Sequence, residues 1–129
     1  MPPKRLLVID DEEDIRDVAG VTLEFTRGWT IETADCGAAG VTRAAEFHPD
    51  VILLDVMMPD MDGPATFRAL QSCQETQSIP VIFLTAKVQP ADLRKFTQLG
   101  VRGVIAKPFD PLKLADQVEA LLDWKHVAA

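Results

Sequence analysis

The stretch VILLDVMMPDMDG, residues 51–63, decides the reading of this chain. Four apolar residues, Val51 to Leu54, run straight into an acid, Asp55, before Val56, Met57 and Met58 follow. An isolated carboxylate is costly to surround with apolar side chains. A buried strand that ends on an acid therefore needs a reason for the acid. Pro59 and Asp62-Gly63 are turn residues, and Pro64 suits the first turn of a helix. The stretch thus reads as strand, acid, turn and helix start.

The same grammar recurs along the chain. Leu6 to Ile9, Val81 to Leu84 and Val104 to Ala106 are further short apolar runs rich in branched residues. Continuous runs of this kind suit strands of a parallel sheet covered on both faces. Trp29 to Thr33 alternates instead, which predicts a half-exposed edge strand. Between these runs, Ile15, Val18, Ala19 and Leu23 fall on one helical stripe that ends at Arg27-Gly28. Leu112, Ala115, Val118, Leu121 and Leu122 form another, with Asp110 placed to cap it and Pro111 at its first position. Weaker helical patterns run over residues 38–47, 64–73 and 90–99. The order is β-α repeated five times, which predicts one doubly wound α/β domain.

Composition agrees with that class and narrows the function. The chain has 129 residues, enough for one domain with a real core, and 47% of them are hydrophobic. A formal net charge of −7 argues against a broad surface for nucleic acid or anionic membranes. No apolar run approaches the ~20 residues of a membrane span, and Leu6 to Ile9 is too short for a signal peptide. Cys36 and Cys73 lie far apart and form no C-x-x-C pair, so they read as separate thiols. These features point to a cytoplasmic protein.

In doubly wound folds, ligands bind outside the carboxyl ends of the strands. Reactive side chains stand at four such ends: Asp10-Asp11, Asp55, Thr85 and Lys107. For Glu12, Glu13 and Asp14 the bland reading, complementing a helix dipole, is preferred. Asp10 and Asp11 differ because they sit where they could converge with Asp55. Three carboxylates together either raise their own pKa values or collect a cation, and oxygen ligands suit Mg²⁺, with Mn²⁺ also acceptable. Lys107 adds a point charge and Thr85 a hydroxyl donor for an anion. Singly, these two would be a solvated cation and a strand-end hydroxyl. Together with the acids they are the parts of phosphoryl transfer, and a carboxylate can itself be the nucleophile.

The segments VIDDEEDIR, VILLDVMMPDMDG, PVIFLTA and VIAKPFDP, in this order and spacing, resemble the response-regulator receiver domain over essentially the whole chain, Lys4 to about Trp124. The resemblance implies a flavodoxin-like, five-stranded parallel sheet of order 2-1-3-4-5 with helices on both faces. It implies that Asp55 is the phosphoacceptor and that Asp10 and Asp11 form the acidic pocket. Mg²⁺ would be held by Asp11 and Asp55, with Met57 lending its backbone carbonyl. Thr85 would meet the phosphoryl group, Lys107 would pair with it, and Lys107–Pro108 would be a cis peptide. The donor would be a histidine kinase or a histidine phosphotransfer protein. Output would pass onward by phosphorelay, or to an unknown protein effector through the segment from Pro90 to Val104 and the Asp110–Leu122 helix, where Asp92, Arg94, Lys95, Arg102 and Lys113 lie. The unphosphorylated protein is expected to be a monomer.

Two features depart from the family pattern or vary within it. Where the family often places an aromatic residue three positions before the lysine, this chain has Val104, so only the Thr85 half of the switch remains. Met57 and Lys87, two residues after Asp55 and Thr85, flank the approach of hydrolytic water in the family and are expected to tune the lifetime of the phosphorylated state. Nothing follows the last helix to form an output module, so a single receiver domain over residues 1–129 is expected, a signalling domain rather than an enzyme. His48 and His126 read as ordinary surface histidines. Two rivals stand beside this reading: an aspartyl-nucleophile phosphatase and a receiver-like interaction module that is never phosphorylated.

Overall fold

The computed structural model describes residues 3–124, so His126 lies outside the described residues. The elements are β1 (Arg5–Ile9), α1 (Glu13–Arg27), β2 (Thr30–Ala34), α2 (Gly37–Phe47), β3 (Val51–Asp55), α3 (Gly63–Gln71), β4 (Val81–Thr85), α4 (Pro90–Leu99), β5 (Gly103–Ala106) and α5 (Leu114–Leu122). The five strands are parallel in the order β2-β1-β3-β4-β5, the doubly wound flavodoxin-like arrangement.

Side-chain alternation explains why the strands read as unbroken apolar runs. Leu7, Ile9, Ile52, Leu54, Val81 and Phe83 point to one face, where they meet Phe47, Phe67 and Phe96 from α2, α3 and α4. Leu6, Val8, Val51, Leu53, Ile82 and Leu84 point to the other and meet Leu23 of α1 and Leu114 and Val118 of α5. β1, β3 and β4 thus each feed both cores, and their runs carry no polar residue on either face before the strand ends. The edge strand β2 is the half-exposed one, as its alternation predicts. Just before it, buried Trp29 packs edge-to-face on Trp124 at 5.6 Å, with Lys4 over the Trp124 ring.

Helix ends follow local chemistry, with two corrections. Gly28 ends α1 at φ 69, and its N–H bonds the Glu24 carbonyl. Asp110 does cap the Leu112 N–H at 3.0 Å, but the turn it opens, Pro111–Lys113, is a 3₁₀ turn, and α5 starts only at Leu114. Such turns are common at helix N-termini. The tighter winding takes Leu112 off the apolar stripe and leaves it 74% exposed. Val18, assigned by periodicity to the buried stripe of α1, is 41% exposed, because it lies at the margin of the stripe that Ala19 and Leu23 centre.

The β3–α3 turn is the tightest joint. The Asp62 carboxylate caps the Ala65 N–H, and the Gly63 N–H bonds the Val56 carbonyl at 2.9 Å. A Cβ on Gly63 would stand 2.7 Å from Val56 Cα and 2.9 Å from the Asp55 carbonyl oxygen, both rigid backbone atoms. Gly63→Ala is therefore expected to destabilise the fold by about 1–3 kcal/mol in urea titrations. Gly20→Ala is the control. Its Cβ would meet only Ile31 Cγ2, at 3.7 Å, so the helix interior should gain about 0.5–1 kcal/mol.

Candidate functional site

Strand register brings the acids together. Ile9 lies opposite Leu54, so the next residues, Asp10 and Asp55, emerge side by side at the carboxyl edge. Asp55 and Thr85 are the last residues of their strands rather than the first residues beyond them, and both are almost fully buried. Standing at the strand's end does not open Asp55 to solvent. It is only 3% exposed.

Asp10 is wholly buried, and each of its carboxylate oxygens has a partner. Its Oδ1 accepts from the Glu12 N–H at 2.9 Å, and its Oδ2 receives Lys107 Nζ at 2.8 Å. Lys107 Nζ also donates to Asp55 Oδ1 at 3.1 Å and lies 3.8 Å from Glu12 Oε1. Lys107 is thus not a solvated cation but the counter-ion of two buried carboxylates. Its backbone N–H bonds the Thr85 carbonyl at 2.9 Å, and the Lys107–Pro108 peptide is cis. The Thr85 Oγ1 accepts from the Lys87 N–H at 2.9 Å, which leaves the hydroxyl hydrogen to donate elsewhere.

Asp11 completes the cluster from an exposed position. One carboxylate oxygen from each of Asp10, Asp11 and Asp55 lies within 4.8 Å of the others. Such a set of hard oxygen donors, with one acid open to water, fits a divalent cation of the Mg²⁺ type. Met57 follows at the strand exit, 60% exposed, and Lys87 is also exposed. Both line a groove of about 320 Å³ between α3 and α4. Val104 pairs with Phe83 and packs half-buried against the core, so it stands away from the acids. His48 sits in the left-handed conformation that closes α2, and both cysteines are free.

Sequence reading missed Arg16, whose Nη1 donates to the Asp10 carbonyl at 2.8 Å and braces the β1–α1 turn. Its only signal was a cation six residues after Asp10, which looks like any solvated helix residue. Glu12, read only as a dipole partner, also lends its backbone N–H to Asp10.

The electrostatics are unbalanced. Burial pushes the Asp55 carboxyl up to about 6. The Lys107 hydrogen bond opposes this, and the neighbouring Asp10 charge and the Asp11 hydrogen bond add to it. For Lys107, burial works against the ammonium, but Asp10 and Asp55 outweigh it and the group is raised above its usual value. The sign of the Asp55 effect is set by linkage. The unfolded chain titrates near 3.8 and the folded one near 6, so the folded state binds the proton more tightly. Stability therefore falls as pH rises between those values, and the full cost, roughly 3 kcal/mol, is present above about pH 6. In chelator, Asp55→Asn is expected to melt higher than the parent at pH 7.5, with the gap closing towards pH 4. A gap that does not change with pH would show that burial of the charge is not its source.

Comparison with known proteins bears on this geometry. The chain matches the response regulator receiver domain over residues 6–119. It is 36% identical over 118 residues to the DNA-binding dual master transcriptional regulator RpaA of Synechocystis, covering 92% of this chain and 48% of that protein. It is 35% identical to the alkaline phosphatase synthesis transcriptional regulatory protein PhoP of Bacillus subtilis, covering 98% and 51%. The chain thus spans about half the length of these relatives. Among solved structures, the chemotaxis response regulator CheY4 of Vibrio cholerae superposes with a TM-score of 0.85 at 28% identity, covering 92% of this chain and 98% of that one. Among the described residues no helix is long and apolar enough to cross a membrane. With fold, strand-end chemistry and sequence in agreement over nearly its whole length, the chain belongs to the response regulator receiver domain family of two-component systems.

Proposed function

We propose that Asp55 accepts a phosphoryl group from a phosphohistidine of a histidine kinase or phosphotransfer protein, and that the phosphorylated state signals to a protein effector. The observation that carries this reading is Lys107 Nζ, held 2.8 Å from Asp10 and 3.1 Å from Asp55 at the mouth of an acidic cluster. Above pH 6 the Asp55 carboxylate is mostly ionised and can attack phosphorus. The P–O bond forms as the P–N bond of the donor breaks, and the imidazole leaves neutral when its other nitrogen carries the proton.

Asp11 and Asp55, beside Asp10, would hold Mg²⁺ or Mn²⁺, with the Met57 carbonyl as the further ligand the family resemblance implies, and the ion would neutralise charge on the transferring group. Lys107 is already placed to follow the new charge, and the Thr85 hydroxyl hydrogen is available to a phosphoryl oxygen. Because Val104 cannot swing as a ring can, Thr85 carries the switch without an aromatic partner. The phosphatase reading lacks its general acid: Asp62 caps α3, and Asp60 stands exposed in the turn at φ 67. We read the chain as a signalling domain, monomeric when unmodified, rather than an enzyme with an external substrate.

Incubation with acetyl phosphate and Mg²⁺ is expected to add one phosphoryl mass to the wild type and none to Asp55→Asn, and chelator should prevent labelling. Equal labelling of the variant would refute the assignment. Continuous phosphate release would favour the phosphatase, and no change at all the inert module.

Lifetime is the second consequence. Neither the Met57 thioether nor the Lys87 ammonium can accept a strong hydrogen bond and orient water behind the acyl phosphate. Slow self-dephosphorylation follows. Met57→Asn with Lys87→Glu is expected to speed phosphate loss about tenfold, or ~1.4 kcal/mol off the barrier. Decay of the purified phosphoprotein no faster than the parent's would refute the gating role.

A further inference from the structure

The groove between α3 and α4 lies beside the acidic site but has a different character. Its wall is apolar, formed by buried Phe96, half-buried Leu99 and the exposed Met57 side chain. Its rim carries three cations, Arg68, Lys87 and Lys95, all exposed and none in an ion pair among the described residues. Two acids also line it. Asp62, which caps the Ala65 N–H at the start of α3, and Asp92 both keep their charges, so the cations exceed the acids by one. On a chain of net charge −7, this is a local reversal of sign around an apolar cleft.

We propose that this groove docks a protein segment carrying one large apolar side chain flanked by carboxylates. The apolar side chain would cover Met57 and rest against Phe96 and Leu99. The flanking acids would meet Arg68 and Lys95 on opposite walls, with Lys87 between the groove and the phosphorylation site. The exposed Met57 thioether is suited to such a contact, since an unbranched side chain adapts to the shape it meets. The cations of the groove stand on three different elements, α3, α4 and the β4–α4 loop. That spread favours an extended or helical segment over a compact anion, which would need the charges converged on one point. Complementary rim charges would serve mainly to select the partner and speed encounter. The proposal does not depend on Asp55 being phosphorylated, and its test uses the unmodified protein.

The test is selection of a displayed random-peptide library on the wild-type protein in the absence of phosphodonor. Counter-selection uses the Arg68→Glu/Lys95→Glu variant, whose changed residues are exposed and whose fold is checked by thermal melting. Enriched peptides are expected to share one aromatic or long aliphatic residue between glutamates or aspartates. On binding they should shift the NMR signals of Met57, Phe96 and Leu99. Affinity should fall about tenfold or more on the double variant and with added salt. A peptide with its acids changed to lysine should regain binding to the double variant and lose it to the wild type. Failure to enrich peptides over the variant, enrichment of peptides without acids, or signal changes confined to other surfaces would each overturn the proposal. Binding of inorganic phosphate or a nucleotide at these residues, without peptide binding, would also overturn it.

Discussion

The ammonium of Lys107 between Asp10 and Asp55 is the interaction on which the rest of the site depends. Two carboxylates about 4 Å apart repel by ~4 kcal/mol at an effective dielectric of 20, and both of these are buried. One cation offsets only part of two negative charges and their lost hydration. The imbalance shows in Asp55, which is held near 6 despite its hydrogen bond to Lys107. A site with residual negative charge, open to water through Asp11, is poised for a second cation. Under the proposed function, Asp55 is a nucleophile that is expensive to keep ionised, and transfer of a phosphoryl group would relocate that charge outwards.

This arrangement follows from the sheet. In the register of β1 on β3, Asp10 and Asp55 leave adjacent strands at one level. In the register of β4 on β5, Thr85 stands opposite Ala106, and Lys107 follows directly. The lysine then has to cross β4 to reach acids on β3 and β1, which a long flexible side chain can do and a shorter one cannot. Arg16 and the Glu12 N–H complete the frame from the start of α1, so Asp10 is held through both its carbonyl and its carboxylate. Gly63 has the matching role beneath Asp55, where close approach of backbone leaves no room for a side chain.

Away from the edge, α1 and α5 are tied by Arg27, which bonds Glu119 through two nitrogens at 2.8 and 3.1 Å. The α4 side has fewer such ties: its rim cations make no ion pairs among the described residues, and Val104 offers β5 no large ring to reposition. The chemistry of the edge is rigidly framed, while the neighbouring α3–α4 groove is held mainly by apolar packing. A surface of that kind can be remodelled or covered at small cost compared with the acid cluster.

Much of this was legible in the residues alone. Continuous apolar runs, one alternating stretch and stripes of period 3.6 are local properties, so they located the five strands and five α-helices, though not the 3₁₀ turn before α5, and placed Asp10, Asp11, Asp55, Thr85 and Lys107 at strand ends. What the sequence could not decide was how deeply those groups are buried and which of them touch. Lys107 meets Asp10 and Asp55 across separations of 97 and 52 residues, and no local pattern reports such a contact. The same limit hid Arg16, whose partner is a backbone carbonyl and leaves no mark on residue type. It left Val18 and Leu112 on apolar stripes, although the neighbours that would cover them do not reach. Residue order determined the elements and the reactive set. Only tertiary packing, which sets desolvation and the distances between charges, decided that Asp55 is a buried carboxylate near pKa 6 with a lysine as its counter-ion.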